Sequence, residues 1–171
     1  MNTENCPLVS VIMGSTSDLP IMEKALEFLD SMGVKFEVNA LSAHRTPAEV
    51  ESFAANAQNR GIKVIIAGAG MAAALPGVIA ANTVVPVIGV PIKGTFDGLD
   101  ALLSMIQMPP GIPVATVAVN GALNAAILAL QILAVDNRAL MQKMAAYKQG
   151  LKTKIVKANE ALSKLDYNNM V

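Results

Sequence analysis

The sequence predicts an α/β fold in which helices cover both faces of a parallel sheet. Short apolar runs rich in β-branched residues alternate with helix-forming segments, an order typical of parallel strands joined by right-handed crossovers. Hydrophobic residues make up 53% of the chain and charged residues only 15%, where about 25% charged is usual. A sheet that is buried on both faces accounts for so little charge on 171 residues.

Five strands and six helices are predicted. The strands comprise residues 8–13, 34–41, 63–67, 85–90 and 114–119. The helices comprise residues 19–32, 47–60, 71–82, 99–107, 121–134 and 137–148. Asp18 is the predicted N-cap of the first helix, with Pro20 near its first position. Thr46 and Glu49 have the spacing of a capping box on the second helix, and Asp136 is the predicted cap of the last.

Composition and charge exclude several classes of protein. The 13 basic and 13 acidic residues balance, whereas a general nucleic-acid binder is basic. A single cysteine, Cys6, excludes an internal disulfide framework. Residues 64–92 and 101–135 carry no charge and are long enough to span a bilayer. Glycines and prolines divide both stretches into pieces of strand or helix size, which favours burial in the sheet or against partner subunits over a membrane role.

One catalytic domain is expected over residues 1–150, followed by a helical arm or tail over residues 151–171. From Asp136 onward the chain holds seven basic and three acidic residues, a pattern typical of a solvated helix. The N-terminus lacks the basic segment and apolar run of a signal peptide, so a cytoplasmic location is expected.

The first loop that follows a strand has the composition of a phosphate site. Ligands of parallel sheets bind at the carboxyl ends of strands, and here Gly14 leads into Ser15, Ser17 and Asp18. Glycine lets the backbone approach a ligand, and the hydroxyls and the following helix N-terminus can donate to an anion. Asp18 is also suited to accept hydrogen bonds from ribose hydroxyls. A capped serine-rich turn without a ligand explains the same residues.

The loop after the second strand holds the only histidine of the chain. Ser42, His44 and Arg45 lie within it. An arginine can hold a phosphate through two hydrogen bonds, and a histidine can exchange protons near neutral pH. A surface ion pair for Arg45 and a structural role for His44 are the alternatives.

The third and fourth loops carry little side-chain chemistry. Residues 68–70 are predicted to form a turn, and the candidate lining of a pocket comprises Ala69, Gly70, Met71, Ala72, Ala73, Ala74 and Leu75. Such a loop binds through backbone amides and a close flat surface, or else only packs a strand against a helix. Residues 93–98 are predicted to form a lid. One histidine and one cysteine argue against a zinc site.

Taken together and in this order, these loops resemble those of one family. GSTSD at residues 14–18, SAHRTP at 42–47, AGAG and LPG within 67–77, and QMPPGIPVATV at 107–117 carry the resemblance. The second and last motifs are specific, and the similarity extends over about residues 8–148. The sequence is similar to the bacterial-type N5-carboxyaminoimidazole ribonucleotide mutases of purine biosynthesis.

The resemblance implies a flavodoxin-like three-layer αβα sandwich with C-terminal helices, assembled as a homo-octamer without metal or organic cofactor. It implies a reaction that moves a carboxyl group from the exocyclic nitrogen of an aminoimidazole ribonucleotide to a ring carbon. Ser15, Asp18, Ser42 and Arg45 match nucleotide-binding positions, with Arg45 on the phosphate, and His44 matches the general acid/base. Residues 70–75 would line the pocket for the base and the migrating carboxyl group.

Two residues depart from the family pattern. Ala74 stands where a histidine is expected in the sequence AAHLPG, and Met71 replaces a more familiar glycine. A second imidazole is therefore absent from the loop. Three functions stay open: the mutase, a carboxylase that joins free carbon dioxide to aminoimidazole ribonucleotide, and a paralogue that binds the ribonucleotide without turnover. Bicarbonate dependence separates the first two.

Overall fold

The computed structural model describes residues 6–166. The chain divides into two compact units, Met1–Leu133 and Ala134–Val171. The described part of the first unit contains one five-stranded sheet. Its strands are β1 (Val9–Met13), β2 (Phe36–Ala40), β3 (Val64–Gly70), β4 (Val87–Ile92) and β5 (Ala115–Thr116).

Within residues 6–166, six helices follow or separate these strands. They are α1 (Leu19–Ser31), α2 (Pro47–Ala55), α3 (Leu75–Ala81), α4 (Leu99–Ile106), α5 (Ala122–Ala134) and α6 (Arg138–Leu162). Short 3-10 turns at Thr16–Asp18 and Gln58–Arg60 precede α1 and follow α2. The chain therefore alternates strand and helix five times before α6, as the apolar runs of the sequence predict.

The sheet has the topology of a flavodoxin-like fold. Its strand order is β2-β1-β3-β4-β5 and every pairing is parallel. From β1 the chain moves outward to β2, and it then crosses back to continue through β3. This order confirms the predicted α/β class and places a topological switch point between the carboxyl ends of β1 and β3, where such folds bind ligands.

Helices cover both faces of the sheet. α2, α3 and α4 share a buried cluster with β3, in which Ile79 and Met105 join Ala67. Because successive strand residues face opposite sides, Gly68 faces the other layer. A Cβ on Gly68 would lie 2.6 Å from the Sδ of Met22 in α1, so glycine lets α1 pack closely there. The two helical layers and the sheet form the predicted three-layer sandwich.

β3 and β4 both end later along the chain than predicted, at Gly70 and Ile92. The turn predicted at residues 68–70 is wrong, because Ala69 and Gly70 pair with Pro91 and Ile92. A Cβ on Gly70 would lie 3.3 Å from the backbone oxygen of Ile92, so small residues sustain the close pairing. β5 is shorter than predicted, although the N–H of Val117 still donates to the Gly89 oxygen at 3.0 Å.

Several predicted helix starts are corrected. Asp18 takes the N-cap position of α1 without a capping side-chain bond, while Pro20 lies in the first turn as predicted. α3 begins at Leu75 instead of residue 71. Asn137, not Asp136, caps α6: its Oδ1 accepts from the N–H of Leu140 at 3.0 Å.

The second unit contains α6, which passes through the helix end predicted at residue 148. Gly150 lies within it and does not stop it. α6 continues without a break through residue 151. The separate arm predicted over residues 151–171 stays a prediction. Among the described helices, none is both long enough and apolar enough to cross a membrane.

Candidate active site

One cavity lies at the carboxyl edge of the sheet, at the switch point. Its volume is about 860 Å³. The loops that follow β1, β2, β3 and β4 all contribute to its lining. All fourteen residues predicted for the site line it, namely His44, Gly14, Ser15, Ser17, Asp18, Ser42, Arg45, Ala69, Gly70, Met71, Ala72, Ala73, Ala74 and Leu75. Their placement together is a finding, and their roles in binding and catalysis stay predictions.

The β1 loop presents hydroxyl groups above the sheet. The N–H of Gly14 donates to the Gly68 oxygen at 3.2 Å, which ties the loop to β3. Ser15 caps the 3-10 turn by accepting from the N–H of Ser17 at 3.3 Å, and the Ser17 hydroxyl donates to the Ser15 hydroxyl at 3.0 Å. The hydroxyls are thus held side by side at the start of α1.

The Asp18 carboxyl is half-buried between this loop and the β2 loop. Burial raises its pKa, and three weaker influences oppose the shift: a backbone hydrogen bond with Ser15, a side-chain hydrogen bond with Ser17 and the charge of Arg45. Removal from water disfavours the ionised form. A ligand that donates hydrogen bonds to this carboxylate would offset that cost, as ribose hydroxyls can.

The β2 loop is closed by its own hydroxyls. The Thr46 Oγ1 accepts from the N–H of Ser42 at 2.9 Å and donates to the Ser42 oxygen at 3.1 Å. The capping box predicted for Thr46 and Glu49 is therefore wrong, since Thr46 makes no side-chain cap on α2. The N–H of Arg45 also lies 3.3 Å from the Ser42 hydroxyl. These bonds hold the intervening residues in a tight turn.

His44 and Arg45 are exposed at the cavity. The Arg45 Nη2 donates to the Gly14 backbone oxygen at 2.7 Å, so the β2 loop is fastened to the β1 loop. A guanidinium has five N–H donors, and this bond uses one of them. The arrangement sets an arginine fork and an imidazole beside the serine hydroxyls.

The β3 loop forms the apolar wall of the cavity. It turns sharply, since the N–H of Ala73 donates to the Met71 oxygen at 2.8 Å and that of Ala74 to the Ala72 oxygen at 2.6 Å. Met71 has a φ of 57°, in the region that L residues rarely adopt. Met71 directly follows the last residue of β3, and α3 begins only at Leu75.

The side chains of this wall divide between cavity and core. Ala69, Ala73 and Leu75 are buried and belong to the cluster beneath α2, α3 and α4. Their backbones are what they offer a ligand. Met71 and Ala72 are exposed, and Ala74 is half-buried at the N-cap of α3. Ala74 adds no hydrogen-bonding side chain to the site.

The loop after β4 borders the same cavity through Lys93 and Gly94. The Lys93 Nζ lies 2.9 Å from the Asp97 Oδ1. The hydrogen bond to Asp97 and its negative charge raise the pKa of Lys93. The same hydrogen bond and the positive charge of Lys93 lower the pKa of Asp97. The lid predicted for residues 93–98 stays a prediction.

Sequence reasoning missed Asn120 as a support for this loop. Its Oδ1 accepts from the N–H of Lys93 at 2.8 Å, and its own N–H donates to the Pro91 oxygen at 2.8 Å. Asn120 has a φ of 58°, which asparagine tolerates better than most residues. That tolerance is the one sequence signal for the role. The cavity lining also includes Pro20, Ile21, Ala43 and Ile92, which were not predicted.

Among residues 6–166, no group of three or more His, Cys, Asp or Glu side chains is placed to hold a metal ion. The side chains around the cavity instead combine hydrogen-bond donors for an anion, one carboxyl group and one imidazole. Such a set can bind a phosphorylated, hydroxyl-bearing ligand and move a proton on it.

Comparison with known proteins identifies the relatives of this chain. Residues 8–154 match the family model described as AIR carboxylase. The N5-carboxyaminoimidazole ribonucleotide mutase of Pyrococcus horikoshii is 51% identical over 162 residues, which are 94% of this chain and 92% of that protein. The phosphoribosylaminoimidazole carboxylase of Candida glabrata is also 51% identical over 162 residues, but these cover 28% of its length.

A solved structure has the same fold. The crystal structure of Treponema denticola PurE aligns with a TM-score of 0.84 at 29% identity, covering 92% of this chain and 99% of that one. The agreement extends over nearly the whole of both chains.

Proposed function

The chain belongs to the AIR carboxylase family, and from that premise we propose that it is a mutase of purine biosynthesis. It interconverts N5-carboxyaminoimidazole ribonucleotide and 4-carboxy-5-aminoimidazole ribonucleotide. One observation carries the proposal: the fourteen predicted site residues, which lie in three separate segments of the chain after β1, after β2 and at the end of β3, line a single cavity at the switch point. Relatives that are named N5-carboxyaminoimidazole ribonucleotide mutase and are 49–54% identical to this chain support the same reaction.

The polar loops bind the nucleotide. Ser15, Ser17 and Ser42 donate hydrogen bonds to the phosphate, and the Arg45 fork supplies its charge. Asp18 accepts from the ribose hydroxyls. These groups lie in two loops that are fastened together by the bond from Arg45 to Gly14, so the ligand meets a site whose parts are already in place.

The reaction breaks one bond to carbon dioxide and makes another. The exocyclic C–N bond of the carbamate breaks, the nitrogen gains a proton, and carbon dioxide is released beside the ring. The ring carbon then attacks it, forms a C–C bond and loses its own proton to restore aromaticity. No proton is gained or lost overall. His44, the only imidazole in the chain, delivers the first proton and takes up the second.

The apolar loop holds the carbon dioxide between these steps. Gly70 and the alanines of residues 72–74 bring a close, small-residue wall to the cavity, and they offer no nucleophile. Enclosure replaces a bimolecular encounter with an intramolecular one, and it excludes water. The bordering Lys93 amine is kept protonated by Asp97, so it does not compete for carbon dioxide.

A direct assay separates the candidate activities. Freshly prepared N5-carboxyaminoimidazole ribonucleotide is supplied without bicarbonate, and the ring-carboxylated product is followed. A mutase forms it. Product that forms only from aminoimidazole ribonucleotide with bicarbonate would assign the carboxylase instead, the activity named for the Candida glabrata relative. Binding without turnover in either mixture would identify an inactive paralogue.

We also propose a homo-octamer in the cytoplasm. The family resemblance supports the assembly, and so does an apolar stripe on α4. Leu99, Leu103 and Ile106 are 55%, 45% and 48% exposed, at a spacing that puts them on one helix face. Light scattering coupled to gel filtration measures the mass; a mass near that of one 17.8 kDa chain would contradict the octamer.

A further inference from the structure

We propose that Met71 is a gate that retains carbon dioxide in the cavity, an inference that rests on the proposed mutase reaction. Met71 lies at the turn between β3 and α3 and lines the cavity. Its role would be to cover the opening between the β3 loop and the β4 loop while the carboxyl group is detached from the ribonucleotide.

The backbone at Met71 singles the residue out. Its φ of 57° lies in the left-handed region, which is costly for a residue with a side chain and free for glycine. The side chain is 63% exposed, so core packing does not compensate for the strained backbone. Strain that is kept without a packing benefit points to a use for the side chain itself.

The side chain approaches the β4 loop. The Met71 Cγ lies 3.9 Å from the position that a Cβ would take on Gly94, in the β4 loop. Ala72 and Ala74 beside it are too short to make such a bridge. The neighbouring Lys93 is paired with Asp97 on its own loop, so the bridge between the two loops is apolar.

Methionine suits this position chemically. Its unbranched thioether chain adapts to an irregular opening and can move aside without breaking a packed contact. A flexible apolar cover admits the ribonucleotide, then excludes water and slows the escape of a small apolar gas. A charged or hydroxyl-bearing side chain would draw water into the opening.

The test measures how the detached carboxyl group is partitioned. Each protein receives N5-carboxyaminoimidazole ribonucleotide with carbonic anhydrase present, which converts escaped carbon dioxide to bicarbonate. The ratio of ring-carboxylated product to free aminoimidazole ribonucleotide is measured after subtraction of the spontaneous decay without protein. This ratio reports retention and does not depend on the overall rate.

Met71→Gly and Met71→Ala are compared with the parent, and Val84→Ala serves as the control. Val84 is an exposed apolar residue in the loop before β4, at the opposite edge of the sheet. We expect the ratio to fall by about half or more in both Met71 variants and to stay at the parent value in the control. Met71→Gly should melt at a higher temperature than Met71→Ala, because only glycine relieves the backbone strain.

The outcomes separate the gate from the reaction. A parent that forms product, with Met71 variants that retain as much carbon dioxide as the parent does, would overturn the gate and leave the mutase standing. A parent that forms no product would overturn both.

Discussion

The cavity has two halves, one defined by the chemistry of its side chains and the other by the path of its backbone. The loops after β1 and β2 supply serines, an aspartate, the sole histidine and an arginine, whose chemistry is evident from the residue types. The end of β3 and the loop after it supply glycine and alanine, and contribute through the path of their backbone and the close pairing of β3 with β4. In the proposed mechanism, the first half binds the nucleotide and moves protons, while the second half encloses the carbon dioxide. The comparison teaches that side-chain chemistry and shape are encoded in different ways.

His44→Asn tests the polar half at its centre and should have the largest effect. Asparagine keeps a polar side chain but cannot exchange the two protons of the reaction. We expect turnover to fall by about 100-fold or more, the usual scale of general acid–base help, with the melting temperature unchanged. Steady-state kinetics measure the turnover, and thermal denaturation measures the melting temperature. Full turnover would remove His44 from the mechanism.

Arg45→Lys tests the binding function of the same half. Lysine keeps the charge but loses the planar fork. A hydrogen bond to a charged group contributes about 1.5–3 kcal/mol, so KM should rise by about 10- to 100-fold while kcat changes less. Arg138→Lys, on α6, is the matched control and should leave KM unchanged. An unchanged KM for Arg45→Lys would refute the phosphate assignment.

Gly70→Ala tests the enclosing half through shape alone. The added Cβ would lie 3.3 Å from the Ile92 backbone oxygen, and backbone yields poorly. We expect the free energy of unfolding to fall by at least about 1 kcal/mol, the usual cost of overpacking. Gly94→Ala is the control, since its Cβ would make only ordinary contact with Met71 at 3.9 Å. Equal melting temperatures for the two variants would contradict the close approach of β3 and β4.

Asp18→Asn tests the electrostatics of the polar half. Burial raises the folded-state pKa of Asp18. Stability is therefore lost as pH rises from the unfolded-state pKa through the raised folded-state pKa, the loss is complete above it, and there is no loss below the unfolded-state pKa. The amide cannot ionise. The variant should therefore melt above the parent at pH 7, and the difference should disappear below about pH 3. A parent that is more stable than the variant at pH 7 would contradict the sign.

Ala74→His tests whether a second imidazole is needed, and it should have the smallest effect. Position 74 is half-buried at the N-cap of α3, so the imidazole should change the free energy of unfolding by no more than about 0.5 kcal/mol. If His44 alone runs the proton transfers, turnover should change by about tenfold or less, below the loss expected for His44→Asn. A 100-fold gain would show that Ala74 impairs the parent.

The sequence predicted the alternation of strands and helices, the class of fold and the lining of the cavity, because apolar runs and strand-end loops are local signals. It did not predict that residues 68–70 continue β3, since that pairing depends on β4. The capping box at Thr46 was wrong because the hydroxyl bonds to Ser42 instead. The sequence around Thr46 is compatible with a hydroxyl that caps α2 and with one that bonds back to Ser42. The backbone conformation of the β2 loop decides between the two.

Isotope retention in the parent protein tests the central claim most directly, that carbon dioxide released from the nucleotide stays in the apolar half of the cavity until the ring carbon captures it. The substrate carries ¹³C in its carboxyl group, the buffer contains excess unlabelled bicarbonate, and the product is analysed by mass spectrometry. The enclosed mechanism predicts that most of the product keeps the ¹³C label. Product that carries the unlabelled carbon of the buffer would show that carbon dioxide leaves the site, and would contradict the mechanism.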